Sequence, residues 1–247
     1  RSMMLGADYI ATGHYARIEK LENGRYALRT SKTSAKDQTY ALYNLTQEQL
    51  SRTLMPVGDY EKDEIREIAK KFNLRVANKP DSQEICFVSD NDYASFVESE
   101  IGKKMPEGNF VTADGEILGK HKGILHYTIG QRKGLGIALV HPIFVTEIRP
   151  ETNEVVIGEN DDVFGYSLEA DNLNAMSVEK FYDGMRAVGK IRYSHKGEHC
   201  TIKVLGEDRI RVDFDEKVRA ITPGQAVVLY DESGLVLGGG TIIGRCD

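Results

Sequence analysis

One cysteine, Cys86, lies in a setting that suits a nucleophile. It stands between Ile85 and Phe87 in the stretch D-S-Q-E-I-C-F, directly after a structure-breaking cluster that contains Pro80. A thiol at the end of a short apolar segment can be partly sheltered from water and still be reached by a substrate. A free cysteine is, however, more often a small hydrophobic core residue. The residue types alone leave both roles open.

A glycine-rich stretch at 126–137, H-Y-T-I-G-Q-R-K-G-L-G-I, is a second candidate for chemistry. Its glycines alternate with Arg132 and Lys133, so backbone amides and cations could approach phosphate groups closely. The spacing is not that of a Walker A loop, which requires G-x-x-x-x-G-K-[ST]. The same pattern is compatible with a hairpin that carries glycine bulges, and the pattern does not separate the two interpretations.

Histidine and cysteine do not form a metal-site pattern in this chain. His195, His199 and Cys200 are close in sequence, but no second pair of ligands has suitable spacing. Strand alternation also puts His199 and Cys200 on opposite faces. We therefore predict no metal site. With three cysteines in the chain, a disulfide framework is not expected either.

The composition is typical of an ordinary globular protein. Of the 247 residues, 40% are hydrophobic and 28% are charged, which allows a sizeable buried core. No window approaches 18 consecutive apolar residues, so no membrane-spanning segment is predicted. The net charge of −6 argues weakly against a nucleic-acid partner, although a basic face can lie on an acidic protein. Few cysteines and no visible signal peptide favour the cytoplasm.

The first residues predict part of an α/β sheet. Residues 9–12 form a short apolar run that predicts a buried strand, followed by Gly13 and His14. In open α/β sheets, ligands bind at the ends of such strands. Residues 17–29 predict a hairpin around an Asn-Gly turn. The polar stretch 30–39 is predicted to be a solvent-exposed loop.

Capping and periodicity predict three helices. The T-x-x-Q pattern from Thr46 is a capping box that predicts a short helix over 47–53. Residues 60–73 predict a longer helix, because apolar residues recur on one face and acidic residues precede basic ones. A third helix is expected over 91–97, with Asp90 as its N-cap.

The last third of the chain predicts a small β-barrel. Short segments rich in β-branched or alternating residues are separated by Gly, Asp or Pro. These predicted strands cover 186–192, 200–205, 209–214, 226–230 and 235–243.

Four motifs together closely resemble one family, the tRNA-specific 2-thiouridylases (tRNA-uridine 2-sulfurtransferases) of the bacterial and mitochondrial type. The motifs are A-T-G-H-Y-A-R at 11–17, K-D-Q-T-Y-A-L at 36–42, D-S-Q-E-I-C-F at 81–87 and the glycine-rich stretch at 126–137. The resemblance covers essentially the whole chain, and the last two motifs are highly specific.

The resemblance implies an α/β plus β protein with three domains. Residues 1–89 would be the C-terminal part of a Rossmann-like, pyrophosphate-loop adenine-nucleotide domain that carries the persulfide cysteine. Residues 90–163 would be a small central tRNA-binding domain, and residues 164–247 a C-terminal β-barrel of the six-stranded type.

The implied reaction is the synthesis of 2-thiouridine at the wobble position of tRNA. ATP, with Mg²⁺ as its usual companion and with no prosthetic group, adenylates the C2 oxygen of the uridine. A persulfide sulfur on Cys86 then displaces AMP. A persulfide is a strong, soft nucleophile, and adenylation turns an unreactive oxygen into a leaving group. The implied partners are tRNA and a persulfide donor or relay protein, in the cytoplasm and without a membrane.

The resemblance also carries roles to individual residues. Gly13 would lie beside ATP. The residues that would contact tRNA are His14, Lys36, Asp37, Gln38, Arg192, Tyr193 and Gln225. Cations, amides and an aromatic ring are suited to gripping phosphate and to stacking on an everted base.

Two motifs of the family have no counterpart in this chain: the S-G-G-x-D-S phosphate loop, and the N-P-D-x-x-C segment with an acid/base aspartate and a thiol that would form a disulfide with Cys86. Neither Cys200 nor Cys246 lies in such a motif, so neither is assigned that role. Because Arg1-Ser2-Met3-Met4 resembles a cloning scar before an internal start, we expect a fragment that is inactive by itself.

Two other functions compete with the enzyme. One is a tRNA-binding module without catalysis of its own. The other is a different pyrophosphate-loop enzyme, such as an ATP-dependent amide-forming synthetase, but that activity requires neither the cysteine motif nor a C-terminal barrel.

Overall fold

The computed structural model of the chain describes two compact units. The described residues are 3–74, 88, 92–137 and 141–247. The first unit comprises residues 1–79, 166–217 and 222–247, and the second comprises 80–165 and 218–221. Within the described ranges, no helix has the length and apolar character that crossing a membrane requires.

The helices are α1 (Thr39–Leu42), α2 (Gln47–Ser51), α3 (Lys62–Lys71) and α4 (Tyr93–Ile101), with 3-10 turns at Met3–Leu5, Ser34–Lys36, Ile124–His126 and Asp161–Val163. The strands are β1 (Ile10–Ala11), β2 (Ala16–Lys20), β3 (Tyr26–Thr30), β4 (Thr53–Leu54), β5 (Gly108–Val111), β6 (Ile117–His121), β7 (Phe144–Arg149), β8 (Glu154–Gly158), β9 (Phe164–Ala175), β10 (Met185–Lys190), β11 (Glu198–Gly206), β12 (Arg209–Arg219), β13 (Ala226–Tyr230) and β14 (Val236–Arg245).

The predicted N-terminal hairpin is confirmed, whereas the predicted buried strand is exposed. β2 pairs antiparallel with β3, and Gly24 adopts the positive φ of +81° that the turn requires. β1 pairs in parallel with the short strand β4. In the described part of the chain, this pairing leaves Ile10 44% exposed. The same pairing ends α2 at Ser51 rather than at residue 53.

The helix predictions hold, with corrected ends. Thr46 and Gln49 form the expected reciprocal capping box of α2. The helix predicted over 60–73 is α3, but Phe72 at the end of its apolar stripe is 68% exposed. α4 begins after Asp92, whose carboxylate accepts the Ser95 N–H at 3.0 Å, so the N-cap is not Asp90, which lies outside the described residues.

The predicted C-terminal barrel is confirmed as a closed barrel of six strands in the order β10-β11-β12-β9-β14-β13. Five of these strands were predicted from the sequence, and β9 was not. Alternation along β11 is as predicted: Cys200 is buried and His199 is exposed. The Rossmann-like, central and barrel parts give the α/β plus β fold class expected from the motifs.

The N-terminal hairpin packs directly against the barrel within the first unit. The Arg25 guanidinium donates from Nε to the Met176 carbonyl at 2.8 Å and from Nη2 to the Ala175 carbonyl at 2.6 Å. The Thr30 N–H donates to the Gly234 carbonyl at 2.9 Å. Buried hairpin residues such as Leu28 share one apolar core with residues of the barrel strands. The three-domain division by sequence therefore differs from the compact units, and it stays a prediction.

The second unit contains a four-stranded sheet that sequence analysis did not predict. Its strand order is β6-β5-β8-β7, with β5 and β8 parallel. Frequent glycine, proline, asparagine and aspartate residues around these short strands obscured their alternation. Phe110, Tyr127, Leu135 and Val145 belong to its core.

A buried histidine, His121, links this core to the following loop. Its Nδ1 accepts the Gly123 N–H at 3.1 Å, and its Nε2 lies 3.1 Å from the Asn153 carbonyl. The ring also makes edge contacts with Phe110 and Tyr127. Burial lowers the pKa of His121, and nearby Lys120 lowers it further, against the bond to Asn153. The bonding pattern therefore assigns a neutral ring with the proton on Nε2.

We predict that Gly239→Ala destabilises the first unit. A Cβ at Gly239 would lie 2.5 Å from the Val227 carbonyl oxygen and 2.7 Å from a ring carbon of Tyr43. Overpacking of this kind costs about 1–3 kcal/mol. The control is Gly244→Ala on the same strand, where a Cβ meets nothing within 4 Å. Equal free energies of unfolding for the two variants in urea would contradict the prediction.

We also predict an acid-dependent loss of stability from His121. Its pKa in the folded protein lies below the ordinary value of 6.5, so the unfolded chain takes up the proton first. This contribution is complete above about pH 6.5 and is lost as the pH falls through the folded pKa. His121→Phe should be less stable at pH 7.5 but should lose less stability than the parent protein between pH 7.5 and pH 5. Parallel pH dependences of the unfolding free energy would contradict this.

Candidate nucleic-acid interface

The predicted persulfide carrier, Cys86, lies outside the described residues. The other two cysteines are described. Cys200 is buried, its thiol donates to the Ala187 carbonyl at 3.4 Å, and burial raises its pKa to about 12. Cys246 is exposed near the C-terminus, and partial desolvation and the nearby Glu169 carboxylate raise its pKa. Neither thiol has the lowered pKa of an activated nucleophile.

Gly13 and His14 follow β1 at its carboxyl end. Gly13 is exposed, and a Cβ built on it meets nothing within 4 Å, so its backbone is open to a ligand. His14 Nδ1 lies 2.8 Å from the Thr12 hydroxyl. His14 also lines a pocket of about 480 Å³ together with Ile10, Thr12, Leu42, Leu45, Glu48, Gln49, Arg52, Thr53 and Met55.

The K-D-Q segment is held by hydrogen bonds on one side and exposed on the other. Lys36 ends the 3-10 turn and is exposed. The Asp37 carboxylate accepts the Ser31 N–H at 2.9 Å and the Thr39 hydroxyl at 2.5 Å. The prediction of a simple solvent-exposed loop over 30–39 is therefore wrong, because Ser31 and Thr39 are buried with these bonds.

Gln38 connects the K-D-Q segment to the residue after His14. Its side-chain Oε1 accepts the Tyr15 N–H at 2.9 Å, and its own N–H donates to the Tyr15 carbonyl at 2.9 Å. The side chain and the backbone N–H of Gln38 thus bring together two predicted site regions, the K-D-Q segment and the region of His14.

Tyr40 brings the same segment to the barrel. Its hydroxyl donates to the Ala226 carbonyl at 2.9 Å, directly after the exposed Gln225. Burial raises the pKa of Tyr40 to about 12, and the positive charge of nearby Arg192 acts in the opposite direction. Tyr193, the next residue, is 55% exposed. Within the first unit, the structure therefore brings Arg192 and the segment that follows Gln225 close to Tyr40, which lies four residues after Lys36.

Lys190 is a further cation, two residues before Arg192, and it was not predicted to be a site residue. Lys190 Nζ lies 5.0 Å from the centroid of the Tyr230 ring. Burial lowers the pKa of His195, and the positive charges of Arg192 and Lys190 contribute to this shift. His195 Nδ1 accepts the Ile191 N–H at 3.4 Å. The K-x-R-Y spacing from Lys190 was the sequence signal that could have identified this cluster.

The glycine-rich stretch at 126–137 forms a compact loop in the second unit, not a hairpin. The Gly130 N–H donates to the Val145 carbonyl at 2.8 Å, and the Val145 N–H donates to the Gln131 carbonyl at 2.9 Å. The loop uses positive φ at Gly130, Gly134 and Gly136, which glycine adopts without strain.

The polar side of this loop faces solvent. Arg132 and Lys133 are both exposed. The Gln131 amide holds the turn, because its Nε2 donates to the Lys133 carbonyl at 3.0 Å and its Oε1 accepts the Thr128 N–H at 3.0 Å. The two cations therefore project from a backbone with a defined conformation.

Arg219 stabilises the conformation of this loop. Its guanidinium lies 5.0 Å from the Phe144 ring centroid and 5.4 Å from the Phe164 ring centroid. It also donates to Asn160 Oδ1 at 2.8 Å and to the Gly130 carbonyl at 3.4 Å. Arg219 is thus a structural residue of the second unit.

The described residues around Arg192 offer binding chemistry for a polyanion. Among them, no group of three or more His, Cys, Asp and Glu side chains is arranged to hold a metal ion. Lys190 and Arg192 supply cations in the same segment as an exposed aromatic ring, Tyr193. Cations and stacking surfaces of this kind suit single-stranded or looped RNA.

Comparisons with known proteins cover nearly the whole chain. Three family models match consecutive segments: a "tRNA methyl transferase HUP domain" at 1–90, a "tRNA methyl transferase PRC-barrel domain" at 94–159 and an "aminomethyltransferase beta-barrel domain" at 166–242.

Several relatives are called tRNA-specific 2-thiouridylase. One from Lachnoclostridium phytofermentans is 65% identical over 98% of this chain and 68% of its own length. Relatives from Clostridioides difficile and Acetivibrio thermocellus are 57% and 52% identical, each over 98% of this chain and 67% of their own length. This chain therefore spans about two thirds of their length, and it belongs to the tRNA-specific 2-thiouridylase family.

Proposed function

We propose that the protein binds tRNA and takes part in the ATP-dependent synthesis of 2-thiouridine at the wobble position. One observation carries the binding half of the proposal. Tyr40, four residues after Lys36, bonds to the carbonyl of the residue after Gln225 and lies near Arg192, although both barrel residues are more than 150 positions away in sequence. Phosphate-binding cations, an amide and the exposed ring of Tyr193 on one surface match the needs of RNA recognition.

The chemical half of the proposal rests on the D-S-Q-E-I-C-F motif and on family membership. In this scheme Cys86 carries a persulfide, and its terminal sulfur attacks C2 of the adenylated uridine. The C2–O bond breaks and AMP leaves with the oxygen. The new C2–S bond then becomes the thiocarbonyl when a second thiol attacks Cys86 and releases the transferred sulfur, leaving a disulfide. That second thiol is not assigned to Cys200, whose burial and raised pKa suit a core residue.

ATP is the co-substrate in this scheme, with Mg²⁺ as its companion. Gly13 suits a position beside the nucleotide, because its backbone is exposed at the carboxyl end of β1 and has open space around it. This is the end of a strand at which α/β sheets bind ligands. His14, which lines the pocket next to β1, would face the RNA.

The remaining partners follow from the reaction. A persulfide must reach Cys86 from a donor or relay protein, and the reaction would take place in the cytoplasm, where tRNA is modified.

We assign tRNA binding to the second unit, the predicted central domain over 90–163, as well, because Arg132 and Lys133 are exposed on a loop with an ordered backbone.

A tRNA-binding module without catalysis of its own is the second candidate function. The RNA surface around Tyr40 supports it directly, since those residues supply binding chemistry without any contribution from Cys86. Methyl transfer, which the descriptions of two family models mention, has less support, because the cysteine motif and the relatives' names both point to sulfur chemistry.

Replacing the cysteine separates catalysis from binding. In the full-length protein, Cys86→Ser should abolish 2-thiouridine formation, because an oxygen cannot carry the persulfide, while tRNA affinity stays nearly unchanged. The measurement is thionucleoside content of tRNA after incubation with ATP and a sulfide donor. Cys200→Ser is the matched control and should keep activity. Thiouridine formed by Cys86→Ser would refute the assignment. For the chain as given, we expect no ATP-dependent thiolation.

Replacing Arg192 tests the RNA surface. Arg192→Ala should weaken tRNA binding and lower the slope of log K against log salt by roughly 0.7–0.9, the value for one phosphate contact. The control is Arg186→Ala, because Arg186 is exposed on the preceding strand and its guanidinium is paired with Asp215 at 2.8 and 2.5 Å. An unchanged salt slope for Arg192→Ala would argue for a structural role instead.

A further inference from the structure

We propose that His195 is a positioning residue for RNA binding, whose imidazole fixes the turn that carries Arg192 and Tyr193. The sequence around His195 predicts neither a metal site nor any other role for it. The inference rests on the proposed function, because His195 acts through two residues of the same RNA surface. It adds a residue to that surface and leaves the roles expected for the others unchanged.

Arg192 and Tyr193 lie in the connection between β10 and β11, at residues 191–197. The His195 N–H donates to the Arg192 carbonyl at 3.1 Å, which closes a tight turn. The His195 side chain reaches one residue further back, because its Nδ1 accepts the Ile191 N–H at 3.4 Å. His195 therefore holds the turn with its backbone and with its ring, and Arg192 and Tyr193 lie between the bonded positions.

The Ile191 N–H is a donor that the fold has to satisfy. Ile191 is 1% exposed, and it directly follows Lys190, the last residue of β10 that pairs with β13. A buried backbone N–H without an acceptor destabilises the conformation that buries it. The His195 ring supplies such an acceptor at the point where the pairing of the two strands ends.

The surroundings of the His195 ring keep it neutral, as an acceptor at Nδ1 must be. Burial lowers the pKa of His195, and the positive charges of Arg192 and Lys190 lower it further. The Glu198 carboxylate acts in the opposite direction. The bond from Ile191 then assigns the ring proton to Nε2.

The other end of the connection is fixed against β10. Gly197 adopts a φ of +99°, which glycine tolerates, and a Cβ built on it would lie 2.7 Å from Val188 Cγ1. The chain after the turn therefore returns closely to the strand that it left. Between these fixed points, the Tyr193 ring is 55% exposed. A ring and a cation held in this way lose less conformational freedom on binding than they would on a mobile loop.

Hydrogen exchange of the full-length protein without RNA tests the anchoring. His195→Leu removes the acceptor, whereas His195→Asn keeps one, since the Asn side-chain oxygen takes the place of Nδ1. We expect about tenfold faster exchange of the Ile191 amide in His195→Leu, and a rate near that of the unsubstituted protein in His195→Asn. The matched control is His199→Leu, because His199 is exposed on β11 and its Nδ1 lies 3.4 Å from a Glu232 carboxylate oxygen.

The control should leave the exchange of the Ile191 amide unchanged. Ring-nitrogen chemical shifts at neutral pH should show a proton on Nε2 of His195 and none on Nδ1. A protonated Nδ1, or an unchanged Ile191 exchange rate in His195→Leu, would overturn the inference. If His195→Leu does not fold, His195→Gln replaces it, because the longer side chain moves its oxygen away from the Nδ1 position.

Binding to an unmodified tRNA transcript with a wobble uridine tests the consequence. His195→Leu should weaken binding severalfold, and His195→Asn should restore most of the loss. When Arg192 and Tyr193 are both replaced by alanine, His195→Leu should cause no further loss, because the residues through which His195 acts are gone.

The outcomes separate this inference from the proposed function. If His195→Leu causes the same loss with and without Arg192 and Tyr193, His195 contacts the RNA itself, and this inference alone is overturned. Unchanged binding by His195→Leu would also overturn this inference alone. An unsubstituted protein that does not bind the transcript would overturn the proposed function, and the role of His195 with it.

Discussion

The structure of the first unit depends on one close approach between the barrel and the segment after the N-terminal hairpin. At Gly239 the barrel strand has no side chain, and the Tyr43 ring fills the space where a Cβ would lie. Asn174 on β9 then donates to the Tyr43 carbonyl at 2.6 Å and to the Leu45 carbonyl at 3.1 Å. Since Tyr43 is the C-cap of α1, the barrel both packs against this residue and satisfies its carbonyl at the end of the helix.

This contact explains why the candidate RNA surface consists of residues from both ends of the chain. Once α1 lies against β13 and β14, Tyr40 reaches the Ala226 carbonyl and Thr39 reaches Tyr230. The surface is therefore a product of packing, and its cations need no sequence proximity.

In the second unit, too, tertiary packing determines the conformation of a surface segment. Its glycine-rich loop takes its conformation from its neighbours: Tyr127 and Leu135 pack in the core, and the Arg219 guanidinium, which lies near two phenylalanine rings, donates to the Gly130 carbonyl. A loop whose backbone is held by these contacts can present Arg132 and Lys133 from a defined position. Preorganised cations of this kind lose less conformational freedom when they bind a phosphate.

The sequence by itself determined the local elements and the family. The capping box at Thr46, the Asn-Gly hairpin and five of the six barrel strands follow from short-range rules of backbone geometry, so they were predictable. Only the tertiary structure decided which polar residues are exposed. Asp37 and Gln38 read as surface residues of a polar loop, yet their partners are Thr39, Ser31 and Tyr15. Hydrogen-bond partners depend on distances that a linear pattern does not contain. For the same reason, the sequence around Tyr230 does not predict that this barrel tyrosine contacts Thr39, almost 200 residues away in sequence.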